Sequence, residues 1–281
     1  MRKSMFKKIS IIGVGLIGGS IGLAVKKFKL ADEVVGLTSH KTTLRKALKN
    51  KAIDKGSLDL GECVKDADLV ILAAPIAEMK NILKSIGPHL KSGCIITDIA
   101  STKQEIVKIS EKILPKGVFF IGTHPMAGSE KRGVDFGTAN LFNDSVLIVT
   151  PTIKTNKKCL TKISQFWRKI GARVVSLSPK KHDEVVASVS HLPHAIAVSL
   201  VNAVNGSDYK FAAGGFKDVT RIAKSSEIIW QGIFASNSRE IVKKIDVFIG
   251  ELNEFKKIIK KSDKNKIGLK LKQARKKRGQ I

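Results

Sequence analysis

The chain has 281 residues, 43% of them hydrophobic and 27% charged, and a formal net charge of +27. These proportions suit an ordinary soluble protein of about two domains, and with Pro at 7 and Gly at 23 without a period they exclude collagen, low-complexity classes and disorder as the main state. The charge invites a nucleic-acid or anionic-membrane reading, but aromatic residues, at 5%, are too sparse for a base-stacking platform.

The first eight residues, Met1 to Lys8, are basic, and an apolar run follows from Ile9 to Val25. That order imitates a signal peptide. Five glycines interrupt the run, no small-residue cleavage site precedes Lys26-Lys27, and 17 residues are few for a membrane span. Short apolar runs then alternate with helical patterns. The expected strands are Lys8–Ile12, Val34–Leu37, Leu69–Ala73, Cys94–Asp98, Val118–Ile121 and Val146–Val149. Helix-like stretches fall at Gly19–Lys27, Thr42–Lys51, Glu78–Leu90 and Thr102–Ile113, and a helix at Lys157–Ile170 leads to a last strand, Ala172–Leu177. Strands alternating with helices imply a parallel sheet built from crossover units. After Pro179 the strand signal ends, and Asp183–Val204, Val219–Phe234 and Arg239–Lys261 have helical periodicity. The expected domains are therefore residues 1–178, α/β, and 179–281, helical. From Lys256 to Ile281 there are 12 basic residues against one acid, Asp263. This tail reads as a solvated C-terminal helix, prone to fray, rather than a nucleic-acid or membrane contact. Cys63, Cys94 and Cys159 lie far apart without ligand spacing, which fits a reducing cytoplasm and no disulfide framework.

The five glycines have a chemical reading. Ile12-Gly13-Val14-Gly15-Leu16-Ile17-Gly18 is G-x-G-x-x-G, placed directly after a strand and opening a helix. Gly13 permits the tight turn, Gly15 lets a pyrophosphate approach the backbone, and Gly18 lets helix and strand pack closely. The helix start, with Leu16 and Ile17, supplies free N–H groups to the phosphates. This points to a Rossmann-like dinucleotide-binding domain followed by an all-helical C-terminal domain. No acid ends the second strand, where Thr38, Ser39, His40 and Lys41 stand instead. Hydroxyls followed by potential cations suit a 2′-phosphate, and a loop tolerating either cofactor is the other reading, so NAD and NADP both remain open. Pro75, after the Leu69–Ala73 strand, starts a turn whose loop is expected to line the nicotinamide side.

Four further segments carry a family resemblance. Asp98 through Lys103, Thr123-His124-Pro125-Met126-Ala127-Gly128-Ser129-Glu130, Ser190-His191-Leu192-Pro193-His194, and Gly214 through Ala223 with Lys217, Asp218 and Arg221 stand in this order. Together they resemble prephenate dehydrogenases, the group that includes arogenate and cyclohexadienyl dehydrogenases, over nearly the whole chain. The resemblance implies NAD(P)-dependent oxidative decarboxylation of prephenate, or of arogenate, in tyrosine biosynthesis. It also implies a homodimer through the helical domain and an active site between the domains.

Residue roles follow from the resemblance and from chemistry. His124, read as lying in an exposed loop, is implied to take the proton of the substrate hydroxyl, and an unperturbed imidazole titrates near ~6.5. Ser101 is implied to bond His124 and substrate, and could equally cap a helix beginning at Thr102. Arg221 suits a bidentate grip on a substrate carboxylate, although Asp218 three residues earlier could pair with it. Lys217 and His194 are implied to hold the substrate side chain, and Glu130 to gate the site with Arg221. Trp230 reads as a core or dimer residue. His191 and His194 are separated by Pro193 and lack a third ligand, so no metal is expected. The alternatives are a two-domain dehydrogenase of the β-hydroxyacid type, which would use a lysine on a helix, and a basic nucleic-acid-binding protein with a vestigial dinucleotide fold.

Overall fold

The structure, a computed structural model, describes residues 4–128, 131 and 133–280. The first half alternates β1 (Phe6–Ile12), α1 (Leu16–Lys27), β2 (Ala31–Leu37), α2 (Lys41–Lys49), β3 (Lys55–Ser57), α3 (Leu60–Val64), β4 (Leu69–Leu72), α4 (Ile76–Ile86), β5 (Ile95–Asp98), α5 (Gln104–Ile113) and β6 (Phe119–Ile121). The strands pair in parallel in the order β3-β2-β1-β4-β5-β6. Their sequences explain this. Leu69-Val-Ile-Leu72 is buried throughout, as a strand covered on both faces must be. Successive side chains point to opposite faces: Leu69 and Ile71 join one core with Ile9 and Ile11, and Val70 and Leu72 join the other with Met79 and Leu83. The strand order reverses between β1 and β4, which opens a crevice at their C-terminal ends.

The two strands expected to extend this sheet do not. β7 (Thr123–Pro125), β8 (Val146–Val149) and β9 (Arg173–Ser176) form a separate three-stranded sheet in that order. β7 runs antiparallel to β8, with His124 opposite Ile148, and α6 (Lys157–Lys169) carries the chain between the parallel β8 and β9. Gly122 is the physical reason. A Cβ there would stand 2.4 Å from the Thr150 hydroxyl, so only glycine lets the chain leave β6 and start a new strand so close to the end of β8. Two short elements were invisible in the sequence, β3 and α3, because neither carries a periodic apolar pattern long enough to be recognised.

Ser178 caps α7 (Pro179–Val186), accepting a hydrogen bond from the Lys181 amide, with Pro179 in the first turn. α7 passes through a wide π-turn, Ala187–His191, into α8 (Leu192–Ala203). Pro193 explains the widening, since it offers no N–H and its ring crowds the carbonyl of the preceding turn. The helix expected over Val219–Phe234 is broken into α9 (Gly214–Thr220), a tight 3₁₀ turn Arg221–Lys224, and α10 (Glu227–Ser236). Next come the long α11 (Ser238–Lys260) and α12 (Lys264–Arg278). The basic tail is thus helical rather than frayed. Asp263 caps α12 by accepting from the Lys266 amide, and Lys270 bridges to Glu251 at 2.9 Å and Glu254 at 2.7 Å on α11.

Candidate active site

The glycine turn lies at the crevice. Gly13 has φ +99°, and a Cβ on it would meet the Ala73 carbonyl at 2.4 Å. A Cβ on Gly18 would meet the Gly13 carbonyl at 2.0 Å, so this glycine lets α1 sit against the turn. A Cβ on Gly15, by contrast, would find nothing within 4 Å. That open backbone, at a helix start with no side-chain cap, fits a pyrophosphate. Leu16 and Ile17 form the half-buried first turn of α1. Thr38 and Ser39 follow the end of β2, and Pro75 is the N-cap residue of α4, after β4. These segments ring the C-terminal ends of adjacent strands, where a dinucleotide would be held.

The next strand along, β5, ends in a buried frame. Asp98 accepts from the Ala100 amide at 3.0 Å and the Thr123 amide at 3.1 Å, and pairs with Lys103 Nζ. Lys103 is wholly buried and also donates to the Thr123 carbonyl at 2.9 Å. Burial pushes the Lys103 ammonium down, against the pull of Asp98. This pair fixes the β6–β7 connection and so the base of His124.

His124 lies on β7 with only 7% exposure, not in an exposed loop as expected. Antiparallel pairing with β8 draws it inward. Its Nδ1 stands 2.9 Å from Nε2 of His182, whose Nδ1 is 2.7 Å from Asp183 Oδ1. Both partners belong to α7, beyond the last strand. Asp183 also accepts from the amides of Lys103 at 2.8 Å and Gln104 at 2.9 Å. It is therefore Asp183, and not Ser101, that satisfies the start of α5; that helix begins at Gln104, and Ser101 makes no hydrogen bond among the described residues. Burial, then the neighbouring His182, Lys103 and His191, push the His124 imidazole well below its ordinary value. These causes all favour the uncharged imidazole, which runs against the expectation of an unperturbed value near ~6.5. Burial alone would raise Asp183, but His182 and the two amides hold it below the carboxylate range.

His191 and His194 complete the cluster. Asn237 Nδ2 donates to the Asp183 carbonyl at 2.9 Å and lies 3.2 Å from His191 Nδ1. His191 Nδ1 is thus the acceptor, and Nε2 carries its proton. Burial lowers the His191 imidazole to about 4. His194 stacks on Trp230 at 3.5 Å with the rings nearly parallel, so Trp230 belongs to this cluster rather than to a separate core. His191 Nε2 and His194 Nδ1 are buried without hydrogen-bond partners. Such groups ordinarily cost about 1–3 kcal/mol each unless something satisfies them. Among the described residues no cluster of His, Cys, Asp or Glu could hold a metal ion.

Lys217 is exposed on α9, and Arg221 opens the exposed 3₁₀ turn that follows. Glu130 lies outside the described residues. His182, Asp183 and Asn237 escaped the sequence reading. Neighbours along a helix do not ordinarily face one another, so the His182-Asp183 step carried no signal. A clue was available in that three of the six histidines, at 182, 191 and 194, fall just after the expected domain boundary.

A parallel sheet with a glycine cradle at its switch point, followed by a helical domain that packs on a buried imidazole, is the architecture of a two-domain nucleotide-dependent dehydrogenase. Residues 21–176 match the nucleotide-binding domain of prephenate dehydrogenase, and residues 178–273 match its dimerization domain. The chain belongs to the prephenate dehydrogenase family. It is 36% identical over 262 residues to a prephenate dehydrogenase of Bacillus subtilis, covering 91% of this chain and 71% of that one. It is 35% identical over 268 residues to a cyclohexadienyl dehydrogenase of Zymomonas mobilis, covering 92% and 91%. Its fold is that of the Aquifex aeolicus prephenate dehydrogenase solved with hydroxyphenyl propionate and NAD+, with a TM-score of 0.92, 34% identity and 98% of each chain covered. The β-hydroxyacid and nucleic-acid alternatives find no support in these similarities.

Proposed function

We propose that this protein catalyses the NAD(P)-dependent oxidative decarboxylation of prephenate to 4-hydroxyphenylpyruvate in tyrosine biosynthesis, with arogenate as the alternative substrate. The observation that carries this reading is a buried His124, whose surroundings favour the uncharged imidazole, in a chain whose first sheet ends in an open glycine cradle. The dinucleotide, when bound, supplies a hydride acceptor. Gly13, Gly15, Leu16, Ile17 and Gly18 hold its pyrophosphate, Thr38 and Ser39 its ribose end, and the loop at Pro75 its nicotinamide side. His124 takes the proton of the ring hydroxyl while the carbon bearing it becomes a carbonyl. Loss of CO2 from the opposite ring carbon sends that bond's electrons into the ring, and the oxygen recovers the proton from His124. No net proton is consumed.

Arg221 grips one substrate carboxylate, with Lys217 and His194 on the polar side chain and Glu130 gating the entrance. Ser101 is the hydroxyl nearest in sequence to the β5 end and orients substrate. The unpartnered His191 Nε2–H and His194 Nδ1 offer the polar contacts that a substrate carrying two carboxylates and a hydroxyl would use. A lysine-based mechanism is disfavoured because the buried Lys103 is already engaged by Asp98 and Thr123.

Residues 1–178 are read as the nucleotide-binding domain and 179–281 as the substrate-binding and dimerisation domain. A homodimer is supported by apolar side chains left exposed on the helices, among them Val189 at 63%, Ile228 at 67% and Val247 at 65%. The helical run Pro179–Ala203 is long and apolar enough to cross a membrane by length and composition, but it carries His182 and Asp183, which are engaged with β7 and α5, so a second subunit suits its apolar side better. Free thiols at all three cysteines suit a cytoplasmic enzyme. The test is to cross prephenate and arogenate with NAD and NADP and follow nicotinamide absorbance. Turnover with one of the substrates is expected, with NADP used at least comparably to NAD because no acid stands at Thr38–Lys41. Absence of turnover with either substrate overturns the reading, and a preference for NAD above about a hundredfold, roughly 2.7 kcal/mol, overturns the cofactor part.

A further inference from the structure

We propose that His182 and Asp183, on the helical domain, set the tautomer of His124, on the nucleotide-binding domain, so that the catalytic base is assembled only where the two domains meet. The inference rests on His124 being the base of the proposed reaction.

Each proton in the hydrogen-bonded chain is fixed by what its partner can accept. Ionised Asp183 can only accept, so His182 Nδ1, 2.7 Å away, carries the proton of that bond. A neutral His182 then has a bare Nε2, which is an acceptor. His124 Nδ1, 2.9 Å from it, must therefore be the donor. This leaves His124 Nε2 without a proton and with a lone pair free for a substrate hydroxyl. The Nδ1–H form is the less populated tautomer of a free imidazole in water, so the protein has to impose it. The anchor of the chain is firm. Both Asp183 oxygens are occupied by backbone amides of Lys103 and Gln104, and Asn237 holds its carbonyl. When His124 accepts the substrate proton, its Nδ1–H stays bonded to His182, and the new positive charge faces a carboxylate through one imidazole. This offsets what opposes a cation there, burial first and then the His182 ring, the Lys103 ammonium and the His191 ring, with Asp98 committed to Lys103. His182 is a positioning residue in this arrangement. Asp183 is both its orienter and the cap of α5, and a loss of domain docking would free His124 to adopt the wrong tautomer.

The experiment uses the full-length protein labelled with ¹⁵N-histidine, without substrate. Long-range ¹H–¹⁵N correlation spectra, assigned with His124→Gln and His182→Gln, read each tautomer directly. Nδ1–H is expected for both His124 and His182. An Nε2–H form of His124, or a mixture like that of a free imidazole, overturns the proposal. Two variants then separate positioning from packing. His182→Gln keeps an oxygen within reach of His124 Nδ1–H, and is expected to keep the tautomer and kcat within about tenfold. His182→Leu removes the acceptor, and is expected to release the tautomer and lower kcat by about a hundredfold or more, with KM within about threefold. Equal losses in both variants, or a tolerated leucine, overturn it. If neither substrate turns over, the proposed reaction fails, but the tautomer spectrum still decides this inference. If turnover is found and the tautomer is wrong, only this inference fails.

Discussion

An imidazole that must accept a proton has to be uncharged first, and at His124 the surroundings see to that. Burial and the nearby His182, Lys103 and His191 all disfavour the cation. The sign for the rate follows: turnover is constant through neutrality and falls only when the pH drops well below ~6.5. A kcat profile with its acid limb at or above that value contradicts the assignment. The same sign holds for stability. His124, His182, His191 and His194 all have depressed values in the fold, so below ~6.5 the unfolded chain binds protons that the native one excludes, and stability declines as pH falls, continuing to the region of about 4 where His191 titrates. Replacing His124 by Asn keeps a polar side chain but removes the base, and is expected to lower kcat by on the order of 10²–10⁴ with little change in KM. A variant within threefold of the parent removes His124 from the mechanism. Arg221→Ala is expected to show the opposite pattern. Losing a charge-assisted pair of about 1.5–3 kcal/mol raises KM by roughly 10- to 100-fold while kcat changes less. Steady-state kinetics on the pair of variants separates the two roles.

At the scale of elements, the site depends on how β5, β7, α5 and α7 are tied together. Asp98 and Lys103 join the end of β5 to the start of β7, and Asp183 joins α7 to α5. Lys103→Met leaves Asp98 buried and unpaired, and breaking a buried pair on one side costs about 3–5 kcal/mol. Urea unfolding is expected to show that loss, and Asp98→Asn in the same background should recover part of it. A single variant as stable as the parent would mean that the pair is not structural. β5, like β1, β4 and β8, is legible because it is a short, mostly apolar run between turn residues, whereas β7, the three residues Thr123–Pro125, carries no such pattern. The π-turn before Pro193 and the 3₁₀ break at Arg221 are not legible either, since both are local departures from a helical pattern that looks continuous in sequence.

For the whole molecule, the +27 charge is less informative than it looked. α12 contributes eight cations with no acid and buries no side chain. Its ion pairs run from Lys270 to Glu251 and Glu254 of α11 and from Lys266 to its own cap Asp263. Truncation after Lys261 is therefore expected to leave turnover within about tenfold and the oligomer intact by light scattering. A monomeric or inactive truncation would show that the tail has a structural duty.

Short-range order in the chain determined the dinucleotide half. A G-x-G-x-x-G turn between an apolar strand and a helix is a local motif, complete within a few residues, and its chemistry travels with it. The family segments were legible for the same reason, each being a run of neighbours such as His124 through Gly128. What depends on residues distant in sequence could only be decided in three dimensions. His124 became a buried strand residue because Gly122 lets β7 pair with β8, more than 20 positions later. Its partners His182 and Asp183 lie 58 and 59 positions away, on the other domain, and the first of these separations is bridged by a single 2.9 Å contact. No periodicity or composition records a contact of that kind, because it is made by the packing of one domain on another.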